Sequence, residues 1–502
     1  MNFGQSISRN IKFGIGSRLV SSLINFFLFP FVLFHVGKET YGMYLLVMTV
    51  TGYMGLLEFG VMSALTKYVA EYSSRNEGER ACEVVNATLT FFFCVGVLIF
   101  LGLTGFSVVF SQFFPISPEN HEIVRQLFLV GGVSALFIWP LNTFSGAVQG
   151  LNLWTVIAWV NIGTSFAYGV GAYALLTNGY GIVALFGFNQ IVTCLGAVVY
   201  SLFTRKLLKF SLQFPYMHWQ IYSKIFSFSM FMFLSSVLNI FLFQIHNLLI
   251  GYFLTPASIS LYAVANNLQS YLRMINGTLG GPPWTVAAQL EGKRDFEGQR
   301  KLVCKGTRLM GAVFIPIVLI LIVFADSFIP AWVGGGFEES IVATRVILLF
   351  WLFNGTLEIA GGMLSAKGMV RESLKIQVLM AAANILICVC CIKSLGILAV
   401  ALGLTVSMIV VGFPLSLHLS LTSLNIAWAD FLRRSVAPNL SHYILAGISA
   451  WAFSRLAVGL SLKEVVALMG ASYVGSLALL YLLVLCPEEQ AEVKSLLLPA
   501  KA

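Results

Sequence analysis

Between Tyr41 and Leu65 the chain runs for 25 residues with one charged side chain, Glu58, before a charged stretch from Lys67 to Arg80. Wound as a helix rising 1.5 Å per residue, a run of that length crosses a hydrocarbon core about 30 Å thick. The same layout returns about 220 residues later, from Ser260 to Arg300. There Tyr262 stands for Tyr44, and Gly277, Gly280 and Gly281 stand for Gly55 and Gly60. Glu297-Gly-Gln-Arg300 answers Glu77-Gly-Glu-Arg80. The spacing predicts two halves of one kind, set in a membrane.

Composition agrees: of 502 residues 58% are hydrophobic and 10% charged, against about 25% charged in soluble domains, and the mean hydropathy is +0.87. The fold class expected is an all-α polytopic membrane protein. The net charge of +9 is read as topology-setting residues at helix ends and not as a nucleic-acid surface. The eight cysteines lie in or beside apolar runs. Cys388, Cys390 and Cys391 have no His, Asp or Glu nearby to complete a tetrahedral site, so they are read as small apolar filler, with no metal and no cofactor. The first apolar run, to Val36, is too long for a cleaved leader and lacks a small-x-small cleavage site, so it is read as a span.

Windows of about 19 residues give fourteen spans, from 13–36 and 41–65 through 256–285 and 341–364 to 438–459 and 464–486. With the N-terminus placed inside, 23 of the 30 basic residues fall in inner segments, a bias that places both termini in the cytoplasm. The repeat continues beyond its first sign: Gly181-Ile-Val-Ala-Leu is echoed by Gly396-Ile-Leu-Ala-Val, and Gly146-Ala-Val-Gln-Gly by Gly361-Gly-Met-Leu-Ser-Ala-Lys-Gly. Six spans per unit is even, so the two repeats insert in parallel, related by an axis along the membrane normal. The expected organisation is 1–210 (spans one to six), 211–435 (spans seven to twelve) and 436–502 (two appended spans and a cytoplasmic tail). No loop is long enough to house a catalytic domain.

The pattern Gly37-Lys-Glu-Thr-Tyr-Gly-Met-Tyr44, a span ending in Glu58-Phe-Gly60, then Lys67-Tyr-Val-Ala-Glu-Tyr72 resembles the polysaccharide biosynthesis transport proteins. Gly251-Tyr-Phe-Leu-Thr-Pro-Ala-Ser-Ile-Ser-Leu-Tyr262, with Pro282-Pro283 beyond it, is similar to that family's seventh and eighth helices. The family belongs to the multidrug, oligosaccharidyl-lipid and polysaccharide exporter superfamily. The resemblance implies two six-helix lobes around a central cation-lined cavity, and a flippase for undecaprenyl-pyrophosphate-linked oligosaccharide. Such a protein moves its cargo by alternating access across a bacterial inner membrane, for O-antigen, capsule or exopolysaccharide. A polyprenyl pyrophosphate cargo, membrane lipids, an H+ or Na+ coupling ion and a glycan polymerase complex are the partners this implies. A multidrug or metabolite cation antiporter of the same superfamily is the alternative. A membrane glycan polymerase or ligase is more distant, because no paired carboxylates or H-x-x-x-H arrangement is present.

An ionisable group inside a span costs about 2.5–3.5 kcal/mol on insertion scales, so each needs an account. Arg18 either snorkels to lipid phosphates or meets a pyrophosphate in the cavity. Glu58, at a comparable depth, either neutralises Arg18 or acts as a proton-binding switch against it. Arg273 precedes Gly277, Gly280, Gly281, Pro282 and Pro283, which are expected to break or bend the helix at the place matching Gly55 to Gly60. It either lines the cavity or pairs with Glu58 or Glu358. Glu358 is read as binding a coupling cation or pairing with an asparagine such as Asn354. His246, beside Gln244 and Asn247, is read as a water-interface marker or an ion-coupling residue. Asn266 and Asn276 suit sugar hydroxyls or helix-to-helix hydrogen bonds.

Overall fold

A computed structural model describes residues 3–209, 211–483 and 490. Among them every regular element is helical, because a backbone surrounded by lipid must satisfy its own N–H and C=O groups. The chain forms two compact units, Met1–Ser260 and Leu261–Ala502. Of the expected tail after span fourteen, all but residue 490 lies outside the described residues.

The first unit holds α1 (Phe3–Val36), α2 (Lys38–Tyr53), α3 (Val61–Ser74), α4 (Gly78–Val109), α5 (His121–Gly150), α6 (Trp154–Thr177), α7 (Ile182–Leu208), α8 (Trp219–Phe243) and α9 (Ile245–Phe253). Its core gathers Val61, Leu65 and Val69 of α3, Val85 and Phe92 of α4, and Phe144 and Val148 of α5. Small residues allow this approach. A Cβ on Gly146 would lie 2.8 Å from Leu65 Cδ2, and one on Gly150 would lie 2.8 Å from the Thr66 carbonyl, so α3 packs into a Gly-x-x-x-Gly groove of α5.

The segment after α7 is strapped onto α4. Asn86 Nδ2 donates to the Ser211 carbonyl at 3.0 Å, its Oδ1 accepts from Gln213 N at 3.0 Å, and Thr90 Oγ1 accepts from Tyr216 N at 3.0 Å. Beyond the strap, Lys224 of α8 donates to Tyr72 Oη at 2.6 Å and lies over the Tyr68 ring at 4.6 Å.

Helix α10 (Pro256–Gly292) contains the border at Ser260. The second unit continues with α11 (Phe296–Lys301), α12 (Thr307–Val333), α13 (Glu338–Ala366), α14 (Val370–Leu395), α15 (Ile397–Ser407), α16 (Phe413–Ser423), α17 (Trp428–Phe431), α18 (Leu440–Leu456) and α19 (Leu462–Leu483). Its helices are joined by the same device of small residues and side chain to carbonyl bonds. Thr405 Oγ1 donates to the Val346 carbonyl at 2.7 Å, and Gly403 lies against Cys388 and Asn384. Arg300 Nε and Lys367 Nζ donate to the Leu424 and Ser423 carbonyls at 2.7 and 2.8 Å, where cations complement the negative end of α16.

Among the described residues ten helical stretches are long and apolar enough to cross a membrane. Four of the fourteen expected spans fall outside those ten: α6, the pair α8 and α9, α10, and α18. The first of them is rich in Gly, Thr and Tyr, α10 carries polar residues along its length, and α18 has 17 residues; several side chains of α8 lie outside the described residues.

The expected interruption is present in one half only. After α2 the chain forms a 3-10 turn, Met54–Glu58, passes Phe59 at φ 49° and Gly60 at φ 72°, and restarts as α3. In contrast, α10 runs unbroken for 37 residues through Gly277, Gly280, Gly281, Pro282 and Pro283. The prolines cannot donate to Thr278 and Leu279, but a loss of two bonds does not stop a helix with several turns on each side.

Candidate functional site

Two polar sites lie within apolar helices, one in each unit. In the second unit Trp351, Gly355, Glu358 and Gly362 follow one another on α13 at spacings of four, three and four, which puts them on one face. Helix α10 answers with Asn276, Gly280 and Trp284. Asn276 Nδ2 donates to Glu358 Oε2 at 2.6 Å, and Asn276 is 2% exposed. Its Oδ1 has no hydrogen-bond partner among the described residues. A Cβ on Gly280 would lie 2.8 Å from Glu358 Oε1, so glycine at 280 makes room for the carboxylate. Gly362 makes the same allowance for the Trp284 indole. Glu358 therefore takes its donor from another helix and not from the neighbouring Asn354.

One turn before Asn276, Arg273 lies on an exposed face of α10. Asn266 is half-buried on the same helix, and its carbonyl accepts from Ser270 Oγ at 2.8 Å. A buried carboxylate with lone pairs to spare can hold a proton or a cation, and an exposed guanidinium nearby can attract an anion.

The first-unit site is the interrupted span. Glu58 is half-buried, and its Oε1 accepts from Met62 N at 3.2 Å. That N–H is among the donors left over at the start of α3, so the carboxylate caps the helix and complements its positive end. No ion pair joins Glu58 to Arg18 among the described residues. Arg18 is exposed on α1, one turn before Ser21, whose Oγ accepts from Ser165 Oγ of α6 at 2.8 Å. His246 is 1% exposed, packed inside the first unit and not presented at a water interface. Beside it Asn247 Nδ2 donates to Thr49 Oγ1 at 3.0 Å. The cysteine cluster divides between faces of α14, with Cys388 buried and Cys390 exposed.

Sequence reasoning missed the second-unit seam as a unit. The signal was the run Trp351, Gly355, Glu358, Gly362, whose spacing marks one packed face. Phe314 of α12 completes it: a Cβ on Gly355 would lie 2.5 Å from its ring and 3.5 Å from Asn276 Oδ1.

A family profile described as polysaccharide biosynthesis protein matches residues 36–342. A protein of Shigella flexneri whose name assigns it to O-antigen transport is 22% identical over 372 residues, 72% of this chain and 85% of its own length. The membrane protein EpsK of Bacillus subtilis is 20% identical over 341 residues, 66% of each chain. Among solved structures, the inward-facing conformation of a multidrug resistance MATE family transporter of the MOP superfamily aligns with a TM-score of 0.62 at 16% identity, covering 90% of this chain and 96% of that one. A MOP superfamily transporter from Pyrococcus furiosus, described as having a binding pocket of reverse polarity, aligns with a TM-score of 0.56 at 16% identity, covering 92% and 96%.

Proposed function

This chain belongs to the polysaccharide biosynthesis protein family, a multi-pass membrane transporter with the MOP superfamily fold, and on that premise we propose that it flips a lipid-linked oligosaccharide. The cargo is an undecaprenyl-pyrophosphate-linked repeat unit for O-antigen, capsule or exopolysaccharide, carried across a bacterial inner membrane by alternating access between repeats 1–210 and 211–435. The observation that carries this reading is Arg273 displayed one turn from the Asn276–Glu358 pair on α10. A cation suited to a pyrophosphate thus lies on the same helix as the asparagine that holds a buried acid able to take up H+ or Na+.

In this mechanism Arg18 and Arg273 attract the diphosphate, Asn266 meets sugar hydroxyls, Asn276 holds the Glu358 carboxylate in place of meeting a sugar, and Glu58, Glu358 and His246 are the candidates for ion coupling. The termini lie in the cytoplasm, and a glycan polymerase receives the exported unit. No bond in the cargo is made or broken.

The test is deletion followed by location of the cargo. Lipid-linked repeat units should accumulate on the inner leaflet, and Arg273→Ala should reproduce that accumulation. Retention of export by Arg273→Lys would assign point-charge attraction and not a bidentate grip. Normal surface glycan after deletion, together with drug sensitivity, would replace this reading by that of a cation antiporter.

A further inference from the structure

Pro316 lies inside α12. A proline nitrogen has no hydrogen, so the carbonyl four residues earlier, that of Ala312, loses its helical donor. Ala312 is 2% exposed, and in a membrane interior such an acceptor needs a donor from a neighbouring segment. His442 of α18, 0% exposed, supplies it: Nε2 lies 3.0 Å from the Ala312 carbonyl oxygen. A carbonyl only accepts, so Nε2 carries the proton. Nδ1 has no hydrogen-bond partner among the described residues, so a second proton there would bury an unpaired cationic N–H. The ring is therefore the neutral Nε2–H tautomer.

The same hairpin grips α12 on either side of that bond. Asn439 Nδ2 donates to the Arg308 carbonyl at 2.6 Å, and Tyr473 Oη of α19 donates to the Val313 carbonyl at 3.2 Å. A Cβ on Gly311 would lie 2.6 Å from Tyr443 Oη, so glycine there lets α18 close on the proline turn. Two residues beyond Ala312, Phe314 is 0% exposed. Its ring lies against Gly355 and 6.2 Å from the Trp351 ring centroid. Glu358 follows Gly355 by three residues on α13.

We infer that the appended hairpin α18–α19 splints α12 at its proline, and that His442 is a positioning residue for the Asn276–Glu358 site, acting through the Ala312 carbonyl and Phe314. The functional half of this inference rests on the reading of Glu358 given above; the splint itself does not. In the absence of His442 the Ala312 carbonyl has no donor, α12 relaxes at Pro316, and Phe314 leaves Gly355.

A double-mutant cycle in the full-length protein tests it. His442→Leu should destabilise the protein about tenfold in the folding equilibrium, as expected for an orphaned buried carbonyl, and should reduce export. In the Pro316→Ala background residue 316 regains its N–H, so the same substitution should cost less than threefold and export should return. His442→Gln, whose amide nitrogen reaches about as far as Nε2, should retain both properties. If His442→Leu does not fold, recovery of folding in the double variant makes the same point. Nitrogen-15 spectra of the histidine should report the neutral ring with its proton on Nε2. Equal losses in both Pro316 backgrounds, or a proton on Nδ1, would overturn the splint. Stability coupling with export unchanged in His442→Leu would overturn the positioning role. Export indifferent to Glu358→Gln would instead remove Glu358 from the transport mechanism and leave the splint standing.

Discussion

Two acids, Glu58 between α2 and α3 and Glu358 on α13, are kept by opposite means. Glu58 sits where its helix stops and restarts, and the restart supplies a donor, the Met62 N–H. Glu358 looks across at a helix that continues without a break through Gly280, so the N–H groups of that stretch are engaged along the axis. It therefore takes its donor from a side chain, Asn276, and its space from a missing one, at Gly280. An interrupted span satisfies a buried acid with its own backbone, whereas an intact span needs a partner helix shaped for it. The first arrangement is local and the second ties two helices together.

The comparison is broken most severely at Asn276. Asn276→Leu leaves the Glu358 carboxylate without its donor and should cost about 3 kcal/mol in thermal unfolding. Removing both partners, as Asn276→Leu with Glu358→Met, should restore most of it, since exchanging both for apolar groups is close to neutral. A double variant no better than the single would mean that Glu358 has another donor. Gly280→Ala comes next at about 2 kcal/mol, by crowding the carboxylate; an unchanged unfolding midpoint would show that α10 shifts to admit the methyl. The smallest effect belongs to the first unit. Glu58→Ala should cost about 1 kcal/mol as a lost helix cap, while Glu58→Gln, which keeps the acceptor oxygen, should cost less than half of that. Equal losses for the two Glu58 variants would show that charge and not hydrogen bonding holds the restart.

Much of the architecture was legible in the sequence. Apolar runs of span length announce helices, and the interruption at Gly55 to Gly60 was visible because Gly60 occupies a left-handed conformation that glycine adopts at little cost. The echo of Gly146 by Gly361-Gly362 also has a physical meaning. Gly146 receives Leu65 of α3, and Gly362 receives Trp284 of α10. Partners were not legible. Periodicity names the face of a helix but not the helix that will oppose it, so the sequence offers Glu358 a coupling cation, Arg273 or an asparagine such as Asn354, while its donor lies 82 residues away. Arg18 and Glu58 were matched on depth alone, yet a backbone N–H at a helix start competes for the carboxylate. The glycines and prolines of α10 are expected to break or bend the helix, and of these the break does not occur, because local rules weigh lost bonds without counting the turns on each side.

The strap after α7 is recognised through its main chain: Asn86 touches the backbone of Ser211 and Gln213, and Thr90 that of Tyr216. Ser211, Leu212 and Gln213 are thus free to drift in kind during evolution as long as the path of the chain is kept. The burden of preserving that path falls on Asn86 and Thr90, two side chains outside the connection they hold.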